Sequence, residues 1–284
     1  MCGTLYLVSL PIGNLEDITI RAIRTLRTVD AIVAEDTRTT RRLLNRYAIR
    51  TPFFSSLYQG AERGRIDLIL DRLRDGTDLA LVSDAGTPLI SDPGFPLVRG
   101  AIEAGISVSP IPGPSAFLAG LVASGLPPDR FHFAGALPRK AGDRRKRIAE
   151  LGRRSATAVV YESPHRLLET LEILAEELLD RPIVLARELT KVHETLVRGT
   201  ASEILATIGD IARVKGECVL VIGGAPCDRD PTTPPQANAV LAMLREAGLP
   251  KRSIVELLGL AFGMPRNDAY RLVHGSGEQV GPEG

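Results

Sequence analysis

The segment Leu79-Ala-Leu-Val-Ser-Asp-Ala-Gly-Thr-Pro-Leu-Ile-Ser-Asp-Pro-Gly94 decides the fold class. Its first part, Leu79–Ser83, is an apolar run without polar alternation, as expected of a strand buried on both faces. The run ends in a rigid polar rim made by Asp84 and Asp92, Gly86 and Gly94, and held by Pro88 and Pro93. Apolar residues then recur at helical spacing through Phe95–Ala104. A buried strand, a long polar loop and a helix, in that order, form half of a βαβ unit. Such a loop can offer carbonyls, amides and a carboxylate to a polar ligand at the carboxyl end of its strand. Asp84, at the strand exit, serves either binding or the turn itself. Asp92, before Pro-Gly, reads as a turn residue.

The same alternation extends in both directions. Upstream, Leu5–Leu10 is an apolar strand, followed by the turn Pro11–Asn14, where Gly13 permits close approach of a ligand. Thr19–Val29 has Ile20, Ile23 and Leu26 on one face of a helix. Ala31–Ala34 is a short strand running into Glu35, Asp36 and the basic helix Thr37–Tyr47. Downstream, Val108–Ile111 is a strand that enters Pro110-Ile-Pro-Gly-Pro-Ser-Ala116 and the helix Ser115–Ser124. Ser115 caps that helix or bonds a ligand. Gly125, Pro127 and Pro128 mark a boundary, and a second α/β pattern follows over residues 130–224. In it, Ile183–Arg187 and Thr195–Arg198 lie too close for a crossover helix, so they are expected to be antiparallel and the second sheet mixed. Pro226, Pro231, Pro234 and Pro235 read as a linker to a small helical extension over 236–275. The expected architecture is therefore two α/β domains (1–124 and 130–224), the first mostly parallel, with a helical appendage.

Composition narrows the function. Of 284 residues, 44% are hydrophobic and 24% charged, and the net charge is +1. No apolar run is long enough to span a bilayer, and the N-terminus lacks a basic flank and a small-residue cleavage site, so the expectation is a cytoplasmic protein. Cys2, Cys218 and Cys227 match no zinc spacing, and the scattered histidines suggest no metal site. From Arg139 to Arg154 eight basic residues face only Asp143 and Glu150. Arg139, Lys140, Arg144 and Arg145 in this run, with Arg38, are candidates to track phosphates, against the alternative of a solvated helix face. There is no P-loop, no G-x-G-x-x-G after the first strand and no G-x-S-x-G elbow. What remains is a set of polar loops at strand exits, including Tyr161-Glu-Ser-Pro-His-Arg166 and Arg187-Glu-Leu-Thr-Lys191, which suggests a cleft shared by the two halves.

Taken in register, PIGNLEDIT, AEDTR, SDAGTPLISDPG, PIPGPSA, YESPHR, LARELTK and GE-x-V-L-V-I resemble the ribosomal small-subunit methyltransferase I family of the tetrapyrrole methylase superfamily. The resemblance implies 2′-O-methylation of a cytidine in the decoding region of small-subunit ribosomal RNA. It also implies a homodimer, with S-adenosylmethionine held in the inter-domain cleft. Carried over by motif, the cofactor contacts fall on Leu10, Pro11, Gly13, Asp84, Gly86, Thr87, Pro88, Ile90, Ser115, Ala116, and Tyr161 or Glu162. A ribose hydroxyl is a poor nucleophile and benefits from a base. Asp36 is the first candidate, with Glu35, Glu188 and Lys191 beside it. The partner is the RNA itself or the assembled small subunit. Two other readings stand: a tetrapyrrole C-methyltransferase of the same superfamily, and a non-catalytic RNA-binding module of ribosome assembly. A nicotinamide oxidoreductase is disfavoured by the missing glycine fingerprint.

Overall fold

A computed structural model describes residues 2–57, 63–208, 216–225 and 235–274. Cys227 and most of the proline-rich linker lie outside the described residues. The chain divides into two compact units, Met1–Ala225 and Pro226–Gly284.

The first unit contains two five-stranded sheets. The first sheet takes β1 (Thr4–Val8), β2 (Ala31–Ala34), β3 (Phe53–Ser56), β4 (Leu79–Val82) and β5 (Ser107–Ile111) in the spatial order β3-β2-β4-β1-β5. Every pairing is parallel. The helices between the strands are α1 (Ile20–Thr28), α2 (Thr37–Arg46), α3 (Arg63–Arg74) and α4 (Phe95–Glu103). One face of the sheet is covered by Ala22 and Leu26 of α1 and Leu43 and Leu44 of α2. The opposite face is covered by Ile69 and Leu73 of α3 and Leu97 and Ala101 of α4. This double covering explains why β2 and β4 are buried at every position and carry no polar alternation. The chain leaves β1 toward one edge and β4 toward the other. The crevice at the carboxyl ends of this adjacent pair is therefore the topological switch point of the sheet.

The helix α5 (Ala116–Ser124) ends at the junction drawn from sequence after residue 124. It packs on the second sheet, where a Cβ on Gly120 would sit 3.0 Å from Val219 Cγ1. The second sheet has the order β6-β7-β10-β8-β9, built from β6 (Phe131–Ala136), β7 (Thr157–Glu162), β8 (Ile183–Arg187), β9 (Thr195–Gly199) and β10 (Cys218–Ile222). Only β6 and β7 run parallel, and β8 and β9 form the expected antiparallel pair. Its other face is covered by α6 (Ala141–Gly152), α7 (Leu167–Glu177) and α8 (Ala201–Ile208).

Among the described residues the second unit has three helices, α9 (Pro235–Glu246), α10 (Lys251–Phe262) and α11 (Arg266–His274), around Leu241, Ile254, Leu258, Ala269 and Val273. Pro235 was expected in the linker and instead opens α9. A proline is tolerated there because the first helical N–H has no intrahelical acceptor.

Candidate functional site

Three loops meet at the switch point. The β4 exit is stapled to the β1 exit by a two-way bridge, Leu10 N–H to Gly86 O at 2.8 Å and Gly86 N–H to Leu10 O at 2.9 Å. Gly86 takes a left-handed φ of 72° to make it. The Ser9 hydroxyl donates to Thr87 Oγ1 at 3.1 Å, and Thr87 in turn donates to the Pro114 carbonyl at 3.2 Å, which ties in the loop after β5. Further along the β4 loop, Leu89 and Ser91 also hold left-handed φ values of 74° and 71°. Such conformations are unfavourable for side chains other than glycine and persist only where the surroundings enforce them.

These loops enclose one side of a cavity of about 280 Å³; the second sheet closes the other. From the first half come Ile12, Glu35, Asp84, Gly86, Thr87, Ile90, Asp92, Ser115 and Ala116. From the second come Tyr161, Glu162, Glu217, Cys218 and Val219. Strand alternation decides between the two expected β7 residues. Tyr161 shares a face with Val219 and packs with Ala116 and Phe117. Its hydroxyl accepts the Phe117 N–H at 3.3 Å. The Glu162 carboxylate is turned to the opposite face, where Arg166 (2.6 Å), the Ser163 N–H (2.6 Å) and the Thr170 hydroxyl (2.7 Å) saturate it. Glu162 thus belongs to the cavity wall while its carboxylate is engaged by these partners. Ser115 stands at the N-cap of α5 without bonding the helix; its hydroxyl faces Tyr161, whose own hydroxyl already takes the Phe117 N–H of the first turn. Pro88 is buried and lines neither this cavity nor its neighbour.

The cavity is acidic. Glu35, Asp84, Asp92 and Glu217 line it, and none forms an ion pair among the described residues. Burial pushes the Asp92 carboxyl up to about 6, opposed by the Ser83 hydroxyl and reinforced by the charges of Glu35, Asp84 and Glu217. Burial also raises Glu35, partly offset by the Asp84 N–H at 3.3 Å. Asp84 is raised for the same reason, partly offset by the Asp36 N–H at 3.1 Å. Burial drives the Cys218 thiol to about 11, so it stays protonated. Asp92, Glu217 and Ile12 were not singled out as site residues from sequence. Asp92 sits in a bend of the β4 loop, where its carboxylate engages the Ser83 hydroxyl. Glu217 reaches the cavity only because β10 is central in the second sheet.

The expected catalytic residues separate in space. Asp36 caps α2 by accepting the Arg38 N–H at 2.8 Å, and Arg38 Nη2 binds it at 2.6 Å. That hydrogen bonding holds the Asp36 carboxyl down to about 2, which makes it a poor proton acceptor. Glu188 pairs with Lys191 Nζ at 2.8 Å, leaving Glu35 as the half-buried carboxylate on the cavity wall. Gly13 does not front this cavity either. A Cβ there would lie 2.5 Å from Lys191 Cγ and 3.0 Å from Leu189 O, so Gly13 allows the two halves to meet. Beside it, the Asn14 N–H donates to Thr190 Oγ1 at 3.0 Å.

Among the proposed phosphate contacts, Arg139 and Lys140 are exposed on the loop after β6. Arg144 is not available: its side chain is fully buried, paired with Glu169 and donating to the carbonyls of Pro138 and Arg139. The helical period turns this residue of the basic run inward, onto α7. Arg145 is exposed but held by Glu176 and Glu177 at 2.5 and 2.7 Å, and Arg38 is paired with Asp36. Among the described residues no cluster of His, Cys, Asp and Glu is disposed to hold a metal, and no helix is long and apolar enough to cross a membrane.

The profile of Tetrapyrrole (Corrin/Porphyrin) Methylases matches residues 4–205. A protein named Ribosomal RNA small subunit methyltransferase I from Haemophilus influenzae is 43% identical over 277 residues, 95% of this chain and 96% of its own. The chain belongs to the ribosomal RNA small subunit methyltransferase I family. A family member of the same name from Xylella fastidiosa is 46% identical over 94% of this chain and 98% of its own. Solved structures share the fold of this family at lower identity. The methyltransferase CobJ aligns over 80% of this chain and 97% of its own, with a TM-score of 0.59 and 22% identity. Uroporphyrin-III C-methyl transferase from Thermus thermophilus, complexed with S-adenosyl homocysteine, aligns over 78% of this chain and 97% of its own at 0.53 and 19%.

Proposed function

We propose that this protein transfers the methyl group of S-adenosylmethionine to the ribose 2′-hydroxyl of a cytidine in the decoding region of small-subunit ribosomal RNA. The observation that carries the reading is the cavity at the switch point, where carboxylates without ion pairs among the described residues, the start of α5 and an apolar wall converge. S-adenosylmethionine has two cationic groups, a ribose and an adenine, and no phosphate. Asp84, Asp92 and Glu217 suit the cations, the Ser115 hydroxyl suits a polar edge, and Ile12, Ile90, Ala116 and Val219 suit the adenine. The names of the relatives at 42–46% identity support ribosomal RNA as the acceptor over a tetrapyrrole, whose enzymes resemble this chain only at about one-fifth identity.

When bound, the cofactor supplies an electrophilic methyl on a sulfonium sulfur. The remaining work falls on this chain. The stapled loops hold the cavity in one shape, so positioning carries most of the acceleration. Glu35, half-buried and raised, is the proton acceptor we assign in place of Asp36. Glu35→Gln is expected to lower the single-turnover rate by about 100-fold with little change in cofactor affinity. An undiminished rate removes Glu35 from this role. We further propose that the protein acts in the cytoplasm as a homodimer. Leu118 and Val122, four residues apart on α5, are 44% and 74% exposed and supply apolar surface for it.

The direct test supplies labelled S-adenosylmethionine and small subunits from cells lacking this protein, then maps the product by mass spectrometry. A methylated cytidine ribose in the decoding region is expected. Methyl transfer to uroporphyrinogen and none to the subunit overturns the reading.

A further inference from the structure

A second hollow of about 540 Å³ adjoins the first and shares Ile12, Asp84, Ala85 and Glu217 with it. Its walls are the turn after β1, one face of α2 and the loop after β8. Thr39, Arg42 and Leu43 stand three and four residues apart on α2, so they share a face. Opposite them lie Pro11, Leu15 and Lys191. The volume is within the range of sites that hold a nucleotide-sized ligand. The partner chemistry is selective. Arg38 is spent on Asp36 and Lys191 is tied to Glu188, whereas Arg42 is exposed and forms no ion pair among the described residues. Thr40, next to Thr39, is buried and bonds the Asp36 carbonyl at 3.2 Å, so the helix is anchored independently of Thr39.

We propose that this hollow receives one unstacked nucleotide of the RNA, its flanking phosphate on Arg42 and its base between Pro11, Leu15 and Leu43. The inference rests on the RNA methylation proposed above and names where the acceptor lies. A ribose carried to the floor of a hollow walled by α2 and two loops comes away from its stacked neighbours, with its base splayed out. A single guanidinium without an ion pair among the described residues matches a single phosphodiester. The carboxylates of Asp84 and Glu217 mark the seam between the hollows and would repel a macrocycle bearing many carboxylates. They tolerate a neutral ribose. The shared wall puts the ribose of such a nucleotide next to the cofactor cavity, which is where methyl transfer requires it.

Single-turnover methylation of unmodified small subunits at several salt concentrations tests this. For Arg42→Gln, KM for the subunit is expected to rise about ten- to a hundredfold, the loss falling mainly on KM and not on kcat. The slope of log KM against log salt should become shallower by about one. Thr39→Trp, which fills the hollow from an exposed helix position, should slow transfer at least about tenfold while S-adenosylmethionine affinity and melting temperature hold. Two variants with wild-type KM, salt slope and rate overturn the inference and leave the methylation reading intact. A wild-type protein that methylates no ribosomal RNA overturns both.

Discussion

At the scale of single residues, Asp92 shows how the cavity opposes its own stability. Its carboxyl ionises near pH 6 in the folded chain, against 3.8 ordinarily, because burial and three neighbouring carboxylates disfavour the charge. The raised value means that ionisation favours the unfolded chain, increasingly so between pH ~4 and ~6 and fully above that. Asp92→Asn should therefore stabilise the ligand-free protein at pH 7.5 by about 1 kcal/mol, a figure reduced for its partial exposure. The gain should vanish below pH 4, and thermal unfolding across pH checks both ends. The same substitution should weaken S-adenosylmethionine binding at pH 7.5. It should also abolish most of the loss of affinity that is expected for the wild-type protein on acidification through pH 6, as calorimetry would measure. Equal pH dependence in both proteins would show that Asp92 does not face the cofactor's cations. Ser91-Asp-Pro-Gly94 reads as a turn, whereas the Asp92 carboxylate engages the Ser83 hydroxyl at the exit of β4. Whether a turn carboxylate also faces a cavity depends on the second sheet closing over it, which local spacing does not encode.

At the scale of elements, α6 illustrates the limit of reading charge along a chain. The run Arg139–Arg154 is continuous in sequence, but a helix deals its residues around a circle, and Arg144 falls on the buried side. There it joins α6 to α7 through Glu169 and holds the carbonyls of the loop that presents Arg139 and Lys140. Arg144→Ala should thus lower stability by about 2–4 kcal/mol in chemical denaturation, since it removes buried volume and strands those carbonyls. The strands were more legible. Those buried on both faces announce themselves as short uninterrupted apolar runs, as in Leu79–Val82 and Cys218–Ile222. Pro235 was misread because the same residue both ends linkers and starts helices.

At the scale of the molecule, alternating strands and helices were enough to foresee a parallel sheet followed by a mixed one. Which loops share a cavity was harder to see. β7 and β10 are neighbours in space but far apart in sequence, so Glu217 carries no local mark of its role. The surface field makes a separate prediction. Replacing Arg139 and Lys140 together with Gln should flatten the salt dependence of subunit binding by about two, while Arg144→Ala leaves that slope alone. An unchanged slope in the double variant would release the loop after β6 from contact with RNA. At Gly13 the turn after β1 meets the loop after β8, and the absence of a methyl group permits that close approach. Alanine there would act as a shim against Lys191 and Leu189 O, widening both hollows at once. A one-carbon change in the wall of the second hollow would then detune cofactor and acceptor together, and the two affinities should decline in step.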